Sequence, residues 1–201
     1  VGPTVAALLA WAAEAGARTG GIVDITMLRA RLDAETGDTP SLPATRPWSL
    51  AGVTRHTAAG TLLTGGRVSR DPAVAFDLDG VAKGWIADRA VRLLVAALDR
   101  HGLAWRSCHV AADGDIALAH RAGATSEVDV ELPDRTPIGR LRLAGGRAGV
   151  ATSGTGIHRW GGRHHLSNPR NGLPSTSGIA QATVVAESAR LAEAWAKTIV
   201  I

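Results

Sequence analysis

Tyrosine is absent from this chain of 201 residues, phenylalanine, methionine and cysteine occur once each, and only two of the 22 basic side chains are lysines. Each scarcity excludes something. A lone cysteine, Cys108, forms no intramolecular disulfide and supplies no thiolate cluster, so it reads as a small buried side chain on a strand. Aromatic residues at 3% give no interleaved stacking surface, and the formal charge of +4 is spread along the chain, so the basic pI does not describe a nucleic-acid module. No apolar run approaches the roughly 18 residues that cross a bilayer, and no basic, apolar, small-residue signal pattern opens the chain. The sequence begins at Val1 without an initiator methionine and stops at Ile201 inside an apolar run. The expectation is a chain shortened at its N-terminus and close to its C-terminus, from which no compartment follows.

Hydrophobic residues make up 45% of the chain, enough for one globular domain over residues 1–201. Residues 2–17 space Val5, Leu8, Leu9 and Ala12 at three and four behind Pro3, which predicts an amphipathic helix ending near Gly20 and Gly21. Residues 33–48, rich in Asp, Gly, Thr, Ser and Pro, read as a long surface loop. Alternation at Val74, Phe76 and Leu78 predicts a strand running into a second helix through Trp85, Ala90, Leu94 and Leu98, closed by His101 and Gly102. Two short strands about Asp113 and Gly114 follow, then alternation at Val128, Val130 and Leu132, and more strand and turn material to residue 154. Residues 182–186 read as a short buried strand, and residues 188–201 as a last helix with Leu191, Ala194, Trp195 and Thr198 inward. Mixed helices and antiparallel strand pairs predict an α+β fold with a largely antiparallel sheet and packed helices.

Two stretches can carry chemistry. "DLDGVAKG", residues 77–84, places the rare Lys83 at the start of a helix, where free N–H groups and the helix dipole favour an anion. Asp77 and Asp88 flank this junction, and the spacing is not that of a P-loop. "ATSGTGIHRWGGRHHLSNPRNG", residues 151–172, gathers Thr152, Ser153, His158, His164, His165 and Asn168 among glycines, a loop costly to order unless it grips something. Its histidine spacing fits no common zinc pattern, and it lacks the nucleophile elbow of a serine hydrolase.

In order and spacing, "FDLDGVAKGWIADRAV", "ADGDIAL", "GVATSGTG" and "HLSNPRNG" resemble the ApbE family of FAD:protein FMN transferases, whose stretches read roughly DLGGIAKGYAVD, GGDI, ATSG and HIIDPRTG. "ARTGGIVDIT" resembles the family's TDGAFDPT segment, so the resemblance covers essentially the whole chain and lacks an N-terminal portion of strand and helix. The resemblance implies cleavage of FAD with Mg²⁺, release of AMP, and attachment of FMN through its phosphate to a Thr or Ser of a flavoprotein partner. It implies that Ile22, Val23 and Asp24 lie along the FAD, that Asp77 and Lys83 contact it from the helix start, and that Gly80 offers its carbonyl to the metal. His165 would face the pyrophosphate or move the acceptor's proton, a role suited to an imidazole titrating near neutrality.

This chain departs from the family at the metal. The last helix of the family carries an Asp and, four residues later, a Thr as Mg²⁺ ligands, and "AEAWAKT" puts Glu193 and Lys197 there. Glu193 can ligate, whereas the Lys197 ammonium is expected to substitute for part of the cation's charge or to pair with Glu193. Thr198 lies about 100° further round the helix. Asp79 and Asp113 stand where the family has glycine, and Asn168 where it has Asp. These departures leave a second reading open, an FAD-binding protein or FAD pyrophosphatase that does not transfer.

Overall fold

Helix α1 (Pro3–Arg18) forms where the spacing predicts it, with Pro3 in the first turn and Leu8, Leu9, Trp11, Ala12 and Ala15 buried. Val5, expected on the inner face, is 42% exposed. The helix ends because Thr19 turns its hydroxyl onto the Ala15 carbonyl (2.8 Å) and accepts the Val23 N–H (3.0 Å), while Gly20 and Gly21 take positive φ. In this computed structural model residues 1–38, 47–57 and 60–201 are described.

A short 3₁₀ turn (Ile25–Met27) leads into α2 (Leu28–Thr36), so the expected loop at 33–48 begins as helix, and its central part, 39–46, lies outside the described residues. The antiparallel hairpin β1 (Trp48–Thr57) and β2 (Gly60–Arg70) was not foreseen from the sequence. Residues 74–78, expected as a strand, are not one. Asp71 and Pro72 turn the chain, Val74 N–H bonds back to Asp71, and the segment's next backbone bond runs from Asp77 to Ile25 (2.7 Å). Alternation there records packing: Val74 is buried, and Phe76 meets Trp48 edge-on at 5.2 Å.

Helix α3 (Asp79–Arg100) is the long central helix, closed by His101 and by Gly102 at φ +64. The expected strands about Asp113 and Gly114 are β3 (Ser107–Ala112) and β4 (Asp115–His120), and Cys108 is buried on β3. The strands β5 (Thr125–Glu131) and β6 (Pro137–Ala144) form a hairpin with alternating, largely exposed faces. β7 (Arg147–Gly154) joins the main sheet, the two-residue strands β8 (Arg159–Trp160) and β9 (Arg163–His164) pair, and β10 (Gln181–Ala186) precedes α4 (Ala189–Val200). The four-stranded sheet is antiparallel throughout, in the order β10-β7-β4-β3, and the fold is α+β as expected. β10 is half-buried where a buried strand was expected, because it is the last strand of the sheet and Val185 stays 45% exposed.

Two glycines let α4 approach this sheet and α3 closely. A Cβ on Gly149 of β7 would lie 2.0 Å from Ala189 N, and one on Gly84 of α3 would lie 2.6 Å from Ala189 O. Asp88, one turn beyond Gly84, accepts the Ala189 and Arg190 N–H groups at 3.0 and 3.1 Å and so caps α4 from a different helix. Leu191 and Ala194 are buried on α4 as expected, whereas Trp195 is 40% exposed. No helix among the described residues is long and apolar enough to cross a membrane.

Candidate active site

The close crossing of α3 and α4 brings the first turn of one against the last turns of the other, and a cavity of about 170 Å³ opens there. Its walls come from residues 22–27, the start of α3, the β3–β4 turn, the end of β7 and the loop reaching His165. All the expected site residues line it except Glu193, which lies beneath.

Glu193 is 1% exposed. Its Oε1 accepts the Lys197 ammonium at 2.9 Å and its Oε2 accepts the Gly84 N–H at 3.0 Å. Lys197 thereby lies over the first turn of α3, its Cε 3.8 Å from where a Gly80 Cβ would be. Asp115, at the start of β4 and 4% exposed, is a second buried carboxyl beside Glu193. Burial and the neighbouring Glu193 push its carboxyl up to about 7, against the pull of Lys197 and Lys83. Sequence reasoning missed Asp115, although "ADGDIAL" contains it. The available signal was an aspartate opening an otherwise apolar strand.

On the opposite wall, Asp24 and Asp77 are engaged with the protein itself. Asp24 Oδ1 accepts the Thr26 N–H (2.8 Å) and caps the 3₁₀ turn. Asp77 Oδ1 accepts the Asp79 N–H (3.0 Å) at the start of α3, and its Oδ2 forms an ion pair with Arg31 Nε at 2.9 Å. No local pattern singled out Arg31. Ile22 borders the cavity, and Val23 borders it while packing into the core with α1. Lys83 reaches the cavity from α3, with Asp113 Oδ2 at 3.7 Å, a long pair with an exposed carboxylate that holds the lysine loosely.

His165 faces His158 edge-on, ring centroids 5.1 Å apart. Burial first, then His158 and Lys197, push its imidazole down to about 4, which corrects the expectation of a group titrating near neutrality. At neutral pH this ring carries no charge. Thr152, Ser153 and His158 also border the cavity, whereas His164 and Asn168 serve the loop's own structure. A ring nitrogen of His164, Nε2, bonds the Ser175 carbonyl (3.0 Å), and Asn168 Oδ1 accepts the Arg170 N–H (2.9 Å). Thr198 donates to Ala194 O at 2.8 Å within its own helix and does not border the cavity.

The expected divalent cation does not fit this arrangement. Mg²⁺ requires close to six oxygen ligands at about 2.0–2.1 Å. Glu193, the one carboxylate expected to ligate it, already holds the Lys197 ammonium on Oε1 and the Gly84 N–H on Oε2.

Solved structures that share this fold include the following three. The ApbE protein of Thermotoga maritima superposes with a TM-score of 0.73 at 23% identity, over 98% of this chain and 65% of its own. The flavinyl transferase ApbE of Pseudomonas stutzeri, in its apo form, gives 0.66 at 22% identity, over 98% and 61%. The flavin transferase ApbE of Vibrio cholerae gives 0.61 at 21% identity, over 96% and 62%. The chain thus spans less than two thirds of the length of each. No curated protein matches its sequence. Residues 1–201 match the ApbE family, and the chain belongs to it.

Proposed function

We propose that the chain carries the active site of an FMN transferase that consumes FAD, releases AMP and joins FMN to a Thr or Ser hydroxyl of a flavoprotein. The observation that carries this reading is that both lysines of the protein, Lys83 and Lys197, border one cavity at the start of α3, the positive end of that helix's dipole. Such a corner suits a diphosphate, whose charge two ammonium groups and a helix start can balance. The family and the flavin transferases that share the fold support the flavin half of the reading.

In this reading Ile22 and Val23 lie along the flavin nucleotide, and Lys83 binds its phosphates. Asp24 and Asp77 act by shaping the wall, since each already holds backbone or Arg31. The acceptor's hydroxyl oxygen bonds to the phosphorus on the FMN side. The bridging P–O bond breaks, and its electron pair leaves with AMP. The neutral His165 accepts the hydroxyl proton and returns it to the leaving phosphate or to water. Gly80 and Glu193 were expected to hold Mg²⁺, but the Lys197 ammonium occupies Glu193.

One observation favours the alternative, a flavin holder or FAD pyrophosphatase. Asp79 puts an added carboxylate on the cavity at the helix start, where it repels phosphate. Incubation with FAD and a candidate acceptor flavoprotein separates the readings. Transfer predicts AMP together with FMN on the acceptor, pyrophosphatase activity predicts AMP alone, and a holder predicts neither.

A further inference from the structure

The carboxylate buried beside the cavity already has a cation of the protein on it. Two carboxyl groups, Glu193 and Asp115, lie 1% and 4% exposed, and the charges of Lys197 and Lys83 both act on Asp115. Lys197, with 13% of its side chain exposed, is fixed on Glu193 Oε1 at 2.9 Å, and Lys83 approaches from α3. In a chain that uses arginine for all its other cationic side chains, both lysines fall here.

An ammonium has three N–H donors and a compact charge. Lys197 spends one donor on Glu193, and among the described residues the others have no partner. They lie over the first turn of α3, beside Gly80 and on the cavity. A group so held bridges a buried carboxylate to a phosphate oxygen, which is the connection a divalent cation makes between carboxylate ligands and a diphosphate. It also excludes such a cation, because an ion bound to the same Glu193 oxygen would meet a positive charge at contact distance.

We infer that Lys197 takes the place of a divalent cation, so that this site binds and cleaves its flavin diphosphate with no metal ion held by the protein. The inference rests on the FAD-cleaving reading above and adds how the charge of the phosphates is met. Lys197 is then a catalytic residue that touches the diphosphate, and Glu193 is a positioning residue that aims it.

The test measures AMP release from FAD by the full chain with acceptor, in EDTA and in excess Mg²⁺, alongside Mn²⁺ binding followed by electron paramagnetic resonance. The wild type is expected to work within about twofold in either condition and to bind no Mn²⁺ in the presence of FAD. Lys197→Thr is expected to lose about 10²-fold in EDTA, and to recover part of it with Mg²⁺ while binding one Mn²⁺ per chain. Wild-type activity abolished by EDTA and restored by Mg²⁺ would overturn the inference and leave the transferase reading standing. Absence of AMP under every condition would sink the transferase reading, and Mn²⁺ binding would still decide the charge question. Stoichiometric Mn²⁺ on the wild type contradicts a site filled by Lys197, and its exclusion by the wild type but not by Lys197→Thr supports one. The wild-type measurements need no variant, so they hold even if Lys197→Thr fails to fold.

Discussion

Replacing Glu193 by alanine removes one carboxylate, its tie from α4 to α3, and the counter-ion of Lys197 on α4 itself. The side chain is 1% exposed and accepts the Gly84 N–H at 3.0 Å and the Lys197 ammonium at 2.9 Å. A hydrogen bond involving a charged group contributes about 1.5–3 kcal/mol. The larger effect is the ammonium left behind, 13% exposed and without its counter-ion. Breaking a buried pair on one side costs about 3–5 kcal/mol in all, a figure that already includes the lost bonds. In a chain of this size each kcal/mol moves Tm by about 2–4 °C, so Glu193→Ala should melt roughly 6–20 °C lower. Urea unfolding followed by tryptophan fluorescence, with thermal melts beside it, measures the loss. The double variant Glu193→Ala with Lys197→Met removes both charges and should recover about 2 kcal/mol or more of it. A single variant within about 1 kcal/mol of wild type, or a double variant no better than the single, would refute the account of a buried carboxylate that ties α4 to α3 and holds Lys197.

Gly149→Ala should be among the most damaging small changes, since its Cβ would meet backbone atoms of Ser188 and Ala189 at 2.0–2.3 Å, and a loss of about 3 kcal/mol in urea unfolding is expected. His165→Asn should leave the melting temperature near wild type and lower FMN transfer about 10²-fold while FAD binding by fluorescence quenching holds. Stability should also respond to pH in a way that names its groups. Asp115 is raised in the fold to about 7, so its contribution is full below its unfolded value near 3.8 and is lost as pH rises through about 7. His165 is lowered to about 4, so its contribution is present above its unfolded value near 6.5 and is lost as pH falls toward about 4. The two oppose each other between about 4 and 6.5, and from there to about pH 8 the Asp115 trend remains alone, so melts should show stability declining over that interval. Asp115→Asn should flatten the decline, and an unchanged slope would remove Asp115 from the explanation.

Helices were the legible part of this sequence because their apolar spacing is local. α1 and α3 form where Leu8, Leu9 and Ala12, and then Trp85, recur at helical intervals. The strand expected at 74–78 failed because alternation shows which side chains pack and cannot show whether a neighbouring strand exists to pair with. Trp195 was assigned inward on the same kind of evidence and is exposed, since α4 is covered mainly through Leu191, Ala192, Ala194 and Ala196. At the site, motif order drew attention to Lys83, Lys197 and His165, which meet at one cavity although more than a hundred residues separate the ends of that set, and to Glu193, which holds Lys197 from beneath. What spacing along the chain could not convey was burial. That is why Asp115 was passed over and why His165, flanked by His158 and Lys197 in a partly closed pocket, is pushed far below the usual histidine range.

The central claim is that the cavity at the start of α3 couples FAD cleavage to labelling of a protein hydroxyl. Counting AMP released against FMN gained by an acceptor flavoprotein, by intact mass over one time course, tests it most directly. The account predicts equal amounts of the two, both lost together in Lys83→Met. AMP in excess of labelled acceptor, or labelling that survives Lys83→Met, would contradict it.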